Sequence, residues 1–141
     1  MTNAEKVVNH MLQNDAFSQW LGVELVALRE GFCTLKMTLR AEMTNGFSIA
    51  HGGITFSFAD SALAFASNAR GDHAVSIETS ISHTRPAQVG DVLFAEAIEK
   101  SHTRRFGIYE VLVTNSRGDL IALFKGTVYR TGKIWNPPQS A

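Results

Sequence analysis

Apolar side chains recur at two different spacings, and the change of spacing divides the chain into elements. Residues 4–20 follow the helical period, with an interruption at Asn14-Asp15, and predict an N-terminal helix. From residue 22 onward apolar and polar residues alternate, which is typical of strands with one buried face. A turn signal at Glu30-Gly31 interrupts the alternation. This region therefore predicts a β-hairpin formed by residues 22–30 and 32–40.

A second helix is predicted over residues 54–68, which are rich in alanine and apolar on nearly every side. A helix with that composition is buried. Four alternating segments follow it, and we predict them to be strands: 74–84, 92–100, 106–115 and 120–130. This order of elements predicts an α+β fold in which an antiparallel sheet is wrapped around one long central helix.

Length and composition fit one domain with one core. The chain has 141 residues, of which 45% are hydrophobic and 18% charged, and these shares argue against disorder. We expect a single domain over residues 1–141, with residues 1–21 as an N-terminal helical segment. Residues 131–141, which contain Pro137-Pro138, are expected to form a poorly ordered tail.

Charge, hydropathy and cysteine content argue against nucleic-acid binding, a membrane span, a disulfide and a cysteine-rich zinc site. Formal net charge is zero and no basic block is present, so nucleic acid is not an expected partner. No apolar run is long enough to predict a membrane span, and no signal segment is evident at the N-terminus. The single cysteine, Cys33, allows neither an internal disulfide nor a cysteine-rich zinc site. A cytoplasmic protein is the expectation.

The stretch His51-Gly52-Gly53 precedes the predicted buried helix. Backbone N–H groups in the first turn of a helix have no intrahelical partner, and the helix dipole favours negative charge there. A carbonyl oxygen that becomes an oxyanion would be stabilised by such a donor, typically by about 3 kcal/mol. The alternative is structural, since two glycines also make a tight joint between a loop and a helix.

Asp60 is a carboxylate within a row of Phe and Ala residues. A buried carboxylate must be hydrogen-bonded or have a raised pKa. It is either a structural residue held by neighbouring serines or a general base or nucleophile in a dry pocket. Helical spacing places it in a stripe of small and polar residues that contains Ser57, Ser61 and Ala64.

The separation of Gly53 and Asp60 bears on how a site could be built. Seven residues of helix correspond to about 10 Å, so one thioester group cannot reach both. If both act on one carbonyl, they come from two chains. A two-fold homodimer with antiparallel copies of this helix would create two equivalent sites, and the small stripe would permit the close approach.

Several motifs resemble those of hotdog-fold acyl-CoA thioesterases of the phenylacetate-degradation branch (PaaI type). The specific part runs from Asn45-Gly46 through His51-Gly52-Gly53 to Ala59-Asp60-Ser61. The resemblance implies a hotdog fold, homodimers with shared active sites that pair into a homotetramer, and hydrolysis of acyl-CoA thioesters. Phenylacetyl-CoA and hydroxyphenylacetyl-CoA are the implied substrates, and no metal or organic cofactor is implied.

The resemblance also implies roles for matching residues. Asp60 would activate water or attack the carbonyl, and the Gly53 amide would polarise the thioester oxygen. Further substrate-binding candidates are positioned around them: Asn45, His51, Gly52, Ser76 and Asn14. The remaining histidines show no metal-ligand spacing and are expected at the surface or in turns: His10, His73, His83 and His102. Four cations are either CoA-phosphate ligands or solvated charges: Arg85, Lys100, Arg104 and Arg105.

Two other functions fit parts of this pattern. His51 with Asp60 could imitate the His and acid of a hotdog 3-hydroxyacyl-thioester dehydratase or hydratase. A non-catalytic acyl-CoA binding protein is the third hypothesis. Release of a free thiol from an acyl-CoA, without hydration of crotonyl-CoA, separates the thioesterase from both.

Overall fold

The computed structural model describes residues 1–138, and the elements follow the order that the periodicity predicts. They are α1 (Asn3–Gln13), α2 (Ala16–Leu21), β1 (Glu24–Arg29), β2 (Phe32–Thr38), a 3₁₀ turn (Ala41–Met43), α3 (Gly52–Asn68), β3 (Asp72–His83), β4 (Val92–His102), β5 (Phe106–Asn115) and β6 (Leu120–Ile134). Residues 139–141, the end of the expected tail, lie outside the described residues.

The N-terminal segment is two helices rather than the single helix expected over residues 4–20. Asn14 is the C-cap of α1, and Asp15 is the N-cap of α2, accepting a 2.9 Å hydrogen bond from the Ser18 amide. Asp and Asn are strong capping residues because their side chains satisfy the backbone groups that a helix end leaves unpaired. Adjacent caps therefore end one helix and start the next.

The strands form one antiparallel sheet in the order β1-β2-β4-β5-β6-β3. The predicted hairpin is confirmed, since β1 pairs antiparallel with β2. Gly31, with φ +73°, makes the turn between them in a left-handed conformation that side chains disfavour. The carbonyl of Gly31 accepts a 3.0 Å hydrogen bond from the Glu99 amide, which ties this turn to β4.

Helix α3 packs against the sheet and forms the centre of the core. Phe58, Leu63 and Phe65 on this helix are at most 1% exposed. The backbone of β6 approaches the helix so closely that a Cβ atom added to Gly126 would lie 2.5 Å from Leu63 Cδ2. The hotdog architecture expected from the resemblance is confirmed. In the described part of the chain, no helix is both long and apolar enough to cross a bilayer.

The region after residue 130 differs from the expected disordered tail. Strand β6 continues to Ile134. Trp135 then donates a 2.8 Å hydrogen bond from its amide to the Gly71 carbonyl, and its indole N–H donates to Asn68 Oδ1 at 2.7 Å. These contacts with the end of α3 order the segment, and local composition could not show them because the partners are more than 60 residues away in sequence.

Strand β3 lies at one edge of the sheet. It pairs with β6 along one side, and its other side meets no strand among residues 1–138. Val75 and Ile77, two apolar side chains of this strand, are 44% and 57% exposed. A long edge strand with exposed apolar side chains is a ready template for pairing with another chain.

Candidate active site

The loop that leads into α3 is held by its own side chains and by the neighbouring loop. Asn45 Oδ1 accepts a 2.9 Å hydrogen bond from the Phe47 amide, which closes a tight turn. The Ala50 amide donates to the Ala87 carbonyl, and the His51 amide donates to the Met43 carbonyl, both at 2.9 Å. These bonds fix where α3 begins. The expectation that Asn45 supports the loop agrees with this geometry.

His51 is the N-cap residue of α3. Its Nδ1 accepts a 2.9 Å hydrogen bond from the Gly53 amide, so this nitrogen is an acceptor in the structure. The Gly53 amide is therefore occupied, although we expected it to polarise the substrate. The amide of Gly52, one residue earlier, has no acceptor among residues 1–138. Of the two glycines, Gly52 offers the free first-turn donor.

A cleft of about 440 Å³ opens beside this first turn. The strand end at His83, the segment after it and the loop before α3 form its walls. The lining residues are Asn45, Ile49, Ala50, Gly52, Thr55, His83, Thr84, Arg85, Pro86, Ala87 and Ile121. Most of its lining surface is apolar, and a few polar groups converge on it, which is the usual character of a small-molecule site.

His83 is exposed, in agreement with the expectation of a surface residue, and it also lines the cleft. Its Nε2 lies 2.6 Å from Thr55 Oγ1, and the Thr55 hydroxyl donates to the Gly52 carbonyl at 3.1 Å. Its Cε1 is 3.3 Å from where a Gly52 Cβ would stand, so glycine is what allows the ring to approach. The sequence carries no local signal for this contact because 28 residues separate His83 from Thr55.

Asp60 lies on the outward side of α3, where Gly53, Ser57 and Ala64 are also partly or fully exposed. Burial raises the pKa of Asp60 above its ordinary value, and the negative charge of Asp15 raises it further. No hydrogen bond or ion pair to its carboxylate occurs within the described residues. Asp60 is thus a carboxyl group that the chain itself leaves uncompensated.

The neighbouring serines do not form hydrogen bonds with Asp60, although the hypothesis of a purely structural Asp60 requires such bonds. Ser61 is 8% exposed and points inward, and its hydroxyl lies 2.7 Å from that of Ser18. The Ser18 hydroxyl in turn donates to Asp15 at 2.6 Å. Ser61 therefore belongs to the contact between α2 and α3 and not to the outward stripe, which corrects the expected set of small residues.

The remaining candidates lie apart from the cleft. Ser76 is exposed on the edge strand β3. Asn14 donates to the His10 carbonyl at 2.9 Å and lines a different depression, together with Trp135. Asp60 is also outside the residues that line the cleft. Eight residues of helix, about 12 Å, separate it from Gly52. Within one chain, the Gly52 amide and the Asp60 carboxylate are therefore too far apart to contact the same carbonyl group.

Similar proteins were found at the level of family, sequence and structure. A family model described as the thioesterase superfamily matches residues 47–122. Acyl-coenzyme A thioesterase PaaI of Escherichia coli is 38% identical over 86% of this chain and 87% of its own length. Human acyl-coenzyme A thioesterase 13 is 30% identical over 83% of this chain and 86% of its own. The structure of the E. coli PaaI protein from the phenylacetic acid degradation operon superposes with a TM-score of 0.92 at 36% identity, covering 94% of this chain and 96% of that one.

Proposed function

The chain belongs to the thioesterase superfamily and is an acyl-CoA thioesterase, and we propose that it hydrolyses aryl-acetyl-CoA esters such as phenylacetyl-CoA or hydroxyphenylacetyl-CoA. The observation that carries the catalytic assignment is the unpaired, partly buried Asp60 carboxyl group on the outward face of α3, with its raised pKa. A carboxyl group with a raised pKa and no structural partner among residues 1–138 is a candidate functional group. The similarity to PaaI supports the aryl-acetyl class.

In the proposed reaction, Asp60 acts on the thioester carbonyl through water or directly. As a general base, it takes a proton from water, the oxygen adds to the carbonyl carbon, the C–S bond breaks, and CoA leaves as a thiolate while the acid is released. As a nucleophile, its oxygen attacks the carbonyl carbon and displaces CoA as a thiolate, and water then hydrolyses the resulting anhydride to release the acid and restore the Asp60 carboxylate. A thiolate is a good leaving group, so either route needs little acid assistance.

The amide of Gly52 is the donor proposed to stabilise the developing oxyanion, because the Gly53 amide is bound to His51. Gly53 could serve in its place only if His51 releases it. His51 and Asn45 hold the loop that aims the Gly52 amide. Ser76 is proposed to orient the water, and Asn14 to contribute to the wall of the acyl pocket.

The site is proposed to form between two chains. In a two-fold dimer joined along the free edge of β3, the α3 helices lie antiparallel, so Gly52 of one chain approaches Asp60 of the other. The exposed Val75 and Ile77 on that edge support this pairing. Two such dimers are proposed to form a homotetramer. Because Gly52 and Asp60 of one chain are about 12 Å apart, one substrate carbonyl can contact both groups only in such a dimer.

A thiol-release screen tests this function. Aryl-acetyl, benzoyl and straight-chain CoA esters are offered to the protein, and free CoA is measured with a thiol reagent. We expect the highest kcat/KM for the aryl-acetyl esters. A flat profile, or a preference for straight chains, would refute the substrate class. Hydration of crotonyl-CoA without thiol release would instead identify a hydratase.

A further inference from the structure

Another depression, distinct from the one that Asn14 lines, lies at the opposite end of α3 from the cleft. It has a volume of about 180 Å³ and is lined by Asp72, Arg104, Arg105, Arg130 and Gly132. Its walls come from the start of β3, the turn between β4 and β5, and the end of β6. It shares no residue with the cleft beside Gly52.

Arg130 is the most unusual residue in this depression, because only 6% of it is exposed. Its Nη1 donates to the carbonyls of Thr103 and Phe106, at 2.7 and 2.9 Å, and so holds the turn between β4 and β5. Its Nε and Nη2 are buried and have no hydrogen-bond partner in the described chain. Buried donors without acceptors are costly and uncommon in native proteins.

The positive charge around Arg130 is also uncompensated. Within residues 1–138, no carboxylate oxygen lies within 4.0 Å of the charged nitrogens of Arg104, Arg105 or Arg130. Other arginines of the chain, such as Arg70 and Arg117, do have acidic partners. Asp72 is the one acidic residue in the lining, against three cations. A group of three cations, one buried and two exposed, that lacks a counter-charge attracts an anion.

We propose that this depression binds a phosphate group of the CoA moiety of the substrate. The inference rests on the proposed thioesterase function. CoA carries its phosphates at the nucleotide end, far from the thioester, so a phosphate site is expected at a distance from the carbonyl. Arginine is suited to the task because its planar donors match phosphate oxygens in a charge-assisted, bidentate geometry.

The position of the depression agrees with the proposed dimer. Asp72 follows the C-terminal end of α3 by four residues. When two α3 helices lie antiparallel, this end of one chain is beside the N-terminal end of the partner's α3, where the partner's cleft opens. The phosphate site of one chain would then serve the acyl site of the other.

Calorimetric titration of CoA, pantetheine and inorganic phosphate tests the site. The variant is Arg104→Ala/Arg105→Ala, because both residues are exposed and, within residues 1–138, their side chains make a single hydrogen bond, a 3.4 Å contact from Arg105 Nη1 to the Tyr129 hydroxyl. Arg130 is left in place, since its Nη1 stabilises the turn. The matched control is Arg117→Ala. Arg117 is an exposed cation in the turn between β5 and β6, and the length of β5 separates it from Arg104 and Arg105 by about 30 Å. Circular dichroism checks that each variant is folded.

We expect the double variant to bind CoA about tenfold more weakly than the unaltered protein, and pantetheine equally well. The control is expected to bind both as before. Unchanged CoA affinity in the folded double variant overturns the proposal, as does an equal loss for pantetheine. If the double variant loses affinity for inorganic phosphate but keeps its affinity for CoA, the site binds free phosphate instead of CoA. Thiol release from an N-acetylcysteamine thioester by the unaltered protein tests the thioesterase function separately, because that substrate carries no phosphate.

Discussion

The amide of Gly53 donates a 2.9 Å hydrogen bond to Nδ1 of His51, so an imidazole caps the first turn of α3. In most N-caps a hydroxyl, amide or carboxylate oxygen accepts this bond. The histidine satisfies one of the first-turn donors and leaves the Gly52 amide available at the edge of the cleft. The first-turn amide without an acceptor among residues 1–138 is therefore that of Gly52, one residue before the donor expected from the sequence.

Gly52→Pro removes this amide and is expected to lower kcat by about 10²- to 10³-fold. Proline is tolerated at the first position of a helix, and His51 already has the extended backbone that a residue before proline needs. Gly52→Ala is the matched control, because it adds the same Cβ beside His83 but keeps the N–H. Equal loss in both variants would show that crowding against His83 is responsible. Full activity in Gly52→Pro would return the donor role to Gly53.

Asp60→Asn is expected to lower kcat for an aryl-acetyl-CoA by at least about 10³-fold, because the base or nucleophile is removed. Thermal stability at pH 7 should be equal or higher. The raised pKa of Asp60 means that folding disfavours its charged form, and asparagine carries no charge to desolvate. Thiol release and thermal unfolding followed by circular dichroism measure the two effects. Wild-type kcat in the folded variant would exclude Asp60 from the reaction.

Asp15→Asn is expected to shift the acid limb of the pH profile of kcat/KM to lower pH. The proposed reaction needs the Asp60 carboxylate, so activity is expected to fall as pH decreases through the pKa of Asp60. Burial and the charge of Asp15 both raise this pKa, and only the second cause is removed, so the pKa falls part of the way toward its ordinary value. Asparagine is also a good N-cap for α2. Glu24→Gln changes an exposed residue on β1 and controls for net charge. An equal shift of the acid limb in that variant would contradict a specific effect of the Asp15 charge on the pKa of Asp60.

Glu99→Gln is expected to lower the free energy of unfolding by about 1–3 kcal/mol. Glu99 accepts hydrogen bonds from Tyr109 at 2.6 Å and from Arg70 at 2.7 and 3.0 Å. Burial alone would raise the pKa of Glu99, but these donors hold it below its usual value. The stabilisation is therefore present above the unfolded-state pKa of about 4.3 and is lost as pH falls through the lower folded-state pKa.

Urea titrations at pH 7 and at acid pH measure this difference, which should shrink at the lower pH. Glu30→Gln is the control, because that exposed carboxylate reaches Arg70 only at 3.7 Å. If Glu30→Gln lowers the free energy of unfolding as much as Glu99→Gln does, the hydrogen bonds of Glu99 with Tyr109 and Arg70 are not the source of the stabilisation.

Gly126→Ala is expected to destabilise the protein by about 1–3 kcal/mol, because the new methyl group would overlap the buried Leu63 side chain. Gly46→Ala serves as the control, since a Cβ there meets no atom within 4 Å. Urea unfolding compares the two variants. Equal stability of both would mean that Leu63 can move aside without cost and that the close approach of β6 to α3 is not constrained.

Local periodicity was sufficient to predict the two kinds of element and their order. The alternation at residues 32–40 and the apolar run at 54–68 correspond to β2 and α3 within a few residues. These patterns are reliable because they reflect burial of one face of a strand or of a whole helix. The extension of β6 beyond residue 130 was missed, because it depends on the contact of Trp135 with Asn68.

The candidate site was predictable in part. Asp60 and the glycines were identified because a carboxylate in an apolar helix and a pair of glycines before it conflict with simple packing. The division of the serines was not predictable, since helical spacing alone places Ser57 and Ser61 near Asp60. The contact of Ser61 with Ser18 on α2 decides which of them faces inward.

Residue types and their spacing thus determined the order of elements, the buried central helix and the presence of an unusual carboxylate, because each depends on neighbours within a few residues. Among residues 1–138, the tertiary structure decided which first-turn amide lacks an acceptor, that His83 lies beside Gly52, and that Arg130 is buried without a counter-charge. These relationships join distant segments or depend on atomic geometry. No local pattern records them, because they arise only when the sheet packs against α3.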